Sequence, residues 1–275
     1  MKTPIALAAL AFAGLAAFAV SQFGHPRSDP MRAADITPET VQIAAGQQHY
    51  RPAGEFRKGT RIVDAPVQQS EVPALEVMTY HVSEADYARC VSADVCATAP
   101  TSGLARRAQT NVNHSDATAY AAWYSEQTGQ TWRLPTDAEW LRAAGDRGID
   151  DAIGDDANSD DPSRRWIASY LREVDLRGTA DLDLHPMGHF GVNDRGVADI
   201  AGNVWEWTDT CFQNGTLTAD GSTVTSRSDY CGVRAVQGKH RAFVIDFIRD
   251  ARSGGCAAGV PPDHLGFRLV RETRG

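Results

Sequence analysis

The sequence lacks a Cys-x-x-Cys pair, any fixed-period repeat or heptad pattern, and any Lys/Arg cluster longer than a pair. The first absence excludes the compact metal and dithiol motifs built on that spacing. The second excludes a fibrous protein. With 27 basic against 35 acidic residues, a net charge of -8, the chain has no basic surplus to neutralise phosphates. That argues against nucleic acid or an anionic membrane as its main partner. Five cysteines in 275 residues are too few for a disulfide-built miniprotein, and 42% hydrophobic residues are too many for wholesale disorder. Beyond Val20 no stretch is apolar enough to cross a bilayer. By length the chain holds one or two domains.

What is present begins at the N-terminus. Ile5 to Val20 is an uninterrupted apolar run after Lys2, and Ala17-Phe18-Ala19 supplies a small-x-small pattern. This reads as a signal peptide over residues 1–19 cut after Ala19, with an uncleaved anchor as the alternative. A flexible segment, 20–40, follows. The expectation is a periplasmic or secreted protein with no membrane span after cleavage. In that oxidising compartment Cys90 can bridge Cys96, and Cys211 can bridge Cys231. The segment between the second pair is rich in Gly, Thr, Ser, Asn and Asp, so the bridge would order a loop without its own core. Cys256 is left over, read as a small apolar group with a reactive thiol as the alternative.

Val41 and Ile43, the surroundings of Pro52-Ala53-Gly54, and Leu75 to Met78 read as short strands. Three helices are expected: one capped by Ser83, one capped at Ser115-Asp116 and ended by Gly129, and one opened by the capping box of Thr136 and Glu139. Asp146 to Arg165 reads as a solvated acidic loop. From Gly191 onward only short strand-like runs are expected. Together these make one loop-rich α+β domain.

Three motifs then appear in order: Arg133-Leu-Pro-Thr-Asp-Ala-Glu-Trp140, Asp199-Ile-Ala-Gly-Asn-Val-Trp-Glu-Trp207 and Gly266-Phe-Arg-Leu-Val-Arg271. They resemble the signatures of the formylglycine-generating-enzyme-like, or sulfatase-modifying-factor, family. The resemblance runs from Val41 to Arg271 and implies a single domain, 41–271, of that C-type-lectin-like fold. It also implies structural calcium held by the side chains of Asp199 and Glu206 and the carbonyls of Gly202 and Val204, an oxygen set of the kind hard cations take. The reading that competes with calcium is Glu206 accepting hydrogen bonds from an arginine or the backbone. The family's second calcium position falls near Ser169, where its usual Asn is missing, with Asp181 and Asp183 as downstream candidates.

The family's oxidase activity rests on two active-site cysteines that hold copper, a soft-ligand arrangement. The matching segment here, Val236 to Arg252, contains no cysteine. Bound copper is therefore not expected, and formylglycine generation using Cys256 is retained only as an outlying reading. A histidine-based iron site is not expected either: His185 and His189 are the only i, i+4 pair, and the intervening Pro186 and Gly188 disfavour a helix that would face them. What remains in the segment is charged. Trp205, His240, Arg241, Arg249, Arg252 and Arg268 are the candidates for a groove that recognises an anion, with His240 as a general acid or base. Buried salt bridges to Asp246, Asp250 or Glu206 are the competing role for the arginines. The functional expectation is an exported accessory protein that binds a periplasmic protein or peptide-like partner, for instance in nitrite reductase maturation. The alternative is an oxidoreductase acting on a peptide-derived small molecule, similar to pyoverdine-maturation proteins.

Overall fold

In the computed structural model the described residues are 38–150, 152–154, 161–178, 181, 183–250 and 264–273. The expected signal peptide, residues 20–37, Arg252 and Cys256 lie outside them. Six short strands come first: β1 (Thr40–Ile43), β2 (Gly46–Tyr50), β3 (Gly54–Lys58), β4 (Arg61–Val63), β5 (Gln68–Val72) and β6 (Leu75–Met78). Helices α1 (Glu84–Ser92), α2 (His114–Thr128), α3 (Asp137–Ala144) and α4 (Pro162–Arg177) follow. Strands β7 (Trp205–Leu217), β8 (Val224–Gln237), β9 (Arg241–Ile245), β10 (Leu265–Gly266) and β11 (Val270–Glu272) complete the order.

The helices start where side chains can satisfy the first N–H groups. The Ser83 hydroxyl accepts from Asp86 N–H at 3.1 Å, and Thr136 and Glu139 form the expected reciprocal box. For α2 the cap is Asn113, two residues earlier than expected, boxed with Asp116. Gly129, at φ 66°, ends it as expected. Helix α4 was not foreseen: it begins inside the acidic segment, where Asp161 caps it and Pro162 sits in its first turn. That placement suits proline, which has no N–H to lose there.

The largest sheet runs β4-β3-β7-β8-β9, with β10 added parallel to β7. Its centre is the β7–β8 hairpin, which corrects the expectation of short runs after Gly191. The strands hold 13 and 14 residues and are bridged by Cys211–Cys231, with 4.4 Å between Cα atoms. Their polar residues are compatible with a strand because Thr225 to Cys231 faces solvent while Ala235 to Gln237 is buried, as antiparallel sheets permit. Cys90–Cys96 closes the end of α1. Both expected bridges are formed.

The main core lies between α1, α2 and the sheet, where Tyr87, Tyr120, Trp123, Tyr124, Trp207 and Phe267 are buried together. Tyr120 stacks on Tyr124 at 5.8 Å and meets Phe267 edge-on at 5.5 Å. A second cluster joins Leu75, Val77, Trp140, Ile200 and Val270 beneath the sheet β1-β6-β11. The two clusters fix the β7–β9 surface, which carries the site described next.

Candidate ligand-binding site

A cavity of about 820 Å³ opens between β3, β4, β9 and α4. That size falls within the range of small-molecule and peptide pockets. Its aromatic side is supplied by β7 and β9: Phe212 and Phe243 meet edge-on at 4.9 Å, and the Arg241 guanidinium lies 5.9 Å from the Phe243 ring centre. Its polar side holds the six arginines Arg51, Arg57, Arg61, Arg165, Arg172 and Arg241, against only Glu55, Asp64 and Glu173. The lining therefore carries a positive excess, reduced by two carboxylates outside it: Asp150 pairs with Arg51 at 2.8 Å and Asp137 with Arg241 at 2.9 Å.

Several of these cations are fixed in place by carboxylates. Arg165 pairs with Asp64 at 2.7 Å and Arg57 with Glu55 at 2.7 Å. Arg241 donates from Nη1 to buried Asp137 at 2.9 Å and to the Arg51 carbonyl at 2.6 Å. Asp137 is held in turn by Gln237 and by its own N–H to Thr210 Oγ1. Two donors are unused: Arg165 Nη1 and Arg172 Nε are buried without a hydrogen-bond partner among the described residues. Both atoms are shielded from solvent, so the cost of an unpaired buried donor, roughly 1–3 kcal/mol and more when charged, falls on the wall itself. A smaller cavity of about 190 Å³ shares Arg51 and Arg241 with the large one and is lined by Tyr50. Burial, with the negative charge of Asp137, raises the Tyr50 phenol above its ordinary value and keeps it a donor.

Two glycines allow the floor to close. Gly54, at φ +150°, brings β3 against β7: a Cβ there would stand 1.9 Å from the Gln213 carbonyl oxygen. At Gly238 a Cβ would run into the Trp205 ring at 2.5 Å. Trp205 is thereby pressed against backbone, and its ring meets His240 edge-on at 4.6 Å. His240 is buried and lines the cavity. Its Nδ1 lies 2.9 Å from the Arg241 carbonyl, which can only accept, so that nitrogen carries the proton.

Of the residues expected in a groove, the structure places His240 and Arg241 on the cavity wall, with Trp205 behind His240. Arg249 is elsewhere. It forks onto Asp116 at 2.7 and 2.8 Å and ties the 246–250 turn to the start of α2. Arg268 is buried and forks onto Glu206 at 2.6 and 2.9 Å. These two arginines take the salt-bridge role, although Arg249 chooses Asp116 over the expected partners. Arg252 lies outside the described residues. Arg51, Arg57, Arg61, Arg165 and Arg172 were missed because they come from the β2–β3 connection, β3, β4 and α4, all far in sequence from the Val236–Arg252 segment.

The four positions expected to hold calcium do not fit such a cage. Both Glu206 oxygens face the Arg268 guanidinium, and Oε1 also lies 2.9 Å from His81 Nε2. A second cation would stand against that positive charge. Burial alone would raise the Glu206 carboxyl, but Arg268 and His81 outweigh it and bring it down to about 2. Asp199 is buried and accepts the N–H groups of Gly188 at 2.5 Å and Phe190 at 2.8 Å. Gly202 packs against the Phe190 ring and Val204 is buried in the core. The carboxylates serve an ion pair and a loop anchor.

Residues 26–273 match the model of the sulfatase-modifying factor enzyme 1-like domain (FGE-sulfatase). Among similar proteins, a formylglycine-generating enzyme from Streptomyces coelicolor is 32% identical over 172 residues, covering 59% of this chain and 52% of that protein. An inactive C-alpha-formylglycine-generating enzyme 2 from Bos taurus is 32% identical over 123 residues, 42% of this chain and 37% of that one. The chain thus matches about half the length, or less, of these curated relatives. The structure of PvdO from Pseudomonas aeruginosa superposes with a TM-score of 0.55 at 19% identity, covering 88% of this chain and 97% of that one. It shares the fold.

Proposed function

Because the chain belongs to the sulfatase-modifying factor enzyme 1-like family yet has no cysteine between Val236 and Arg252, we propose that it is an exported binding module that takes an anionic, peptide-like ligand with an aromatic or apolar portion. The observation that carries this reading is the cavity: six arginines line it together with Phe212 and Phe243. Arginine suits the role, since its planar fork grips carboxylates bidentately and stacks on rings. The thiols that hold copper in the formylglycine-generating members are missing from the matching segment, and the four described cysteines are paired with one another. The segment's lack of cysteine is what supports reading the chain as a binding module rather than a formylglycine-generating oxidase. Two disulfides support export, because such bonds persist in oxidising compartments. The named relatives do not point to nitrite reductase, so the ligand is defined here by its chemistry.

A second reading has one observation in its favour. His240 is buried on the cavity wall with its tautomer set by the Arg241 carbonyl, the placement of a group that could move a proton on a bound small molecule. The two readings separate in one experiment. Binding of an acidic aromatic peptide is measured by calorimetry against its amidated, uncharged counterpart. Only the acidic form should bind, and Arg165→Gln with Arg172→Gln should weaken it roughly tenfold or more, as loss of charge-assisted hydrogen bonds implies. Equal affinity for both peptides, or no effect of the arginine variants, overturns the anion reading. If His240→Gln leaves affinity unchanged while abolishing turnover of a bound compound, the catalytic reading prevails.

A further inference from the structure

The loop that precedes the Asp199 turn gathers three side chains that the cavity does not use. Pro186 and Gly188 disfavour the helix that would face His185 and His189, but the loop faces them by another route. Their rings stack with centroids 3.9 Å apart and planes within 10°. Asp181 Oδ2 lies 2.6 Å from His185 Nε2. One ligating atom from each of the three falls within 4.8 Å of the other two. The backbone beneath is fixed from two sides. Asn203 accepts the His185 N–H at 2.9 Å and donates to the His185 carbonyl at 3.0 Å. The Asp199 carboxylate holds Gly188 and Phe190, and the Phe190 ring packs edge-on against both imidazoles at 5.6 and 4.9 Å. Gly188, at φ +92°, makes the turn between them. An ordinary surface ion pair would account for Asp181 and His185. It does not account for a second imidazole whose ligating nitrogen lies within 4.8 Å of the same carboxylate, or for a buried carboxylate spent on holding the loop.

We propose that Asp181, His185 and His189 form a binding site for a divalent transition-metal ion of the zinc class. Two imidazole nitrogens and one carboxylate oxygen are donors that Zn²⁺ accepts, and three protein ligands leave a position for water. The groups are solvent-accessible, His185 and Asp181 exposing 23% and 43% of their side chains. Asp183 N–H, donating to Asp181 Oδ1 at 3.0 Å, orients the carboxylate. Asn203 is a positioning residue: its side chain hydrogen-bonds the His185 N–H and carbonyl and sets where the ring stands. The ion displaces the proton between Asp181 and His185, and binding turns the two stacked rings about their Cβ–Cγ bonds, because each lone pair lies in its ring plane and parallel planes share no ligand point.

The test uses the untagged full chain with zinc chloride in equilibrium dialysis, and cobalt chloride for spectroscopy. The expected result is one Zn²⁺ per chain with micromolar affinity or tighter. His185→Ala combined with His189→Ala should lower affinity by roughly 100-fold and Asn203→Ala by about tenfold, the scale of outer-partner effects at metal sites. Circular dichroism at pH 7 should show both variants folded, and Cys256→Ser should bind as wild type. Cobalt should give visible bands without thiolate charge transfer. The proposal is overturned if wild type takes up no stoichiometric zinc, if the double histidine variant binds equally well, or if a thiolate band shows that cysteine holds the metal. If the histidine variant fails to fold, His185→Gln and His189→Gln tested singly must each weaken binding.

Discussion

Arg268 shows how one side chain can join four distant segments. Its five N–H groups find five oxygens: two from Glu206, and the carbonyls of Met78, Thr79 and Ala198. A charge buried this deeply is tolerable only when paired and fully hydrogen-bonded. Replacing it by Met strands the Glu206 carboxylate in the core, and urea denaturation should show a loss of roughly 3–5 kcal/mol. The double variant Arg268→Met with Glu206→Gln should lose clearly less than the sum of the single effects, because neither residue then leaves an unpaired charge behind. Additive losses would mean the two residues do not depend on each other. The spacing of Asp199 and Glu206 made carboxylates at a turn legible in the sequence, and the GFR arginine was legible as a buried cation. Their partnership was read only as one option among several, and His81 was not foreseen at all. Its contact with Glu206 spans 125 residues, and nothing local to either position encodes it.

At the scale of elements, the caps were the most readable feature because they are local. Ser83, Thr136 and Gly129 act where their side chains or backbone freedom require. The β7–β8 hairpin and α4 were less readable, since long-range pairing decides both. The hairpin's polar residues give no hydrophobic alternation, yet the bridge and the neighbours β3 and β9 hold it as the sheet centre. The cavity was partly readable in hindsight from composition: of 27 basic residues only Lys2, Lys58 and Lys239 are lysines, a bias toward the cation that forks. The β3–β7 contact makes a sharp prediction. With the Gly54 Cβ position 1.9 Å from the Gln213 carbonyl oxygen, Gly54→Ala must push two strands apart. Overpacking of this kind costs about 1–3 kcal/mol. Because Gly54 and Phe212 both line the cavity, the variant should also weaken peptide binding in calorimetry even where it remains folded. Wild-type stability and affinity in Gly54→Ala would show that the strands are not packed this closely.

For the whole molecule, the titrating groups point the same way on acidification. Burial and the neighbouring Arg268 lower the His81 imidazole below its ordinary 6.5, against the opposing pull of Glu206. The folded protein thus resists a proton that the unfolded chain accepts, so this contribution is present above pH 6.5 and is lost as pH falls below it. Glu206 has its carboxyl lowered from 4.5 to about 2, and Glu139 is also lowered, by its fork with Arg133 and its capping bonds outweighing burial. Their contribution is present above pH 4.5 and is lost as pH falls toward 2. For Glu206 it is on the order of 3 kcal/mol, since each tenfold change in proton affinity is worth about 1.4 kcal/mol. The urea midpoint should therefore be level from pH 8 to 7, decline gently below 6.5 and fall steeply below 4.5. His81→Gln removes the imidazole while keeping a hydrogen-bonding group beside Glu206, so its profile should lack the gentle upper decline and keep the steep lower one. A wild-type midpoint that rises between pH 7 and 5.5 would mean that His81 is charged in the fold, with the Glu206 ion pair recruiting the proton instead of Arg268 repelling it.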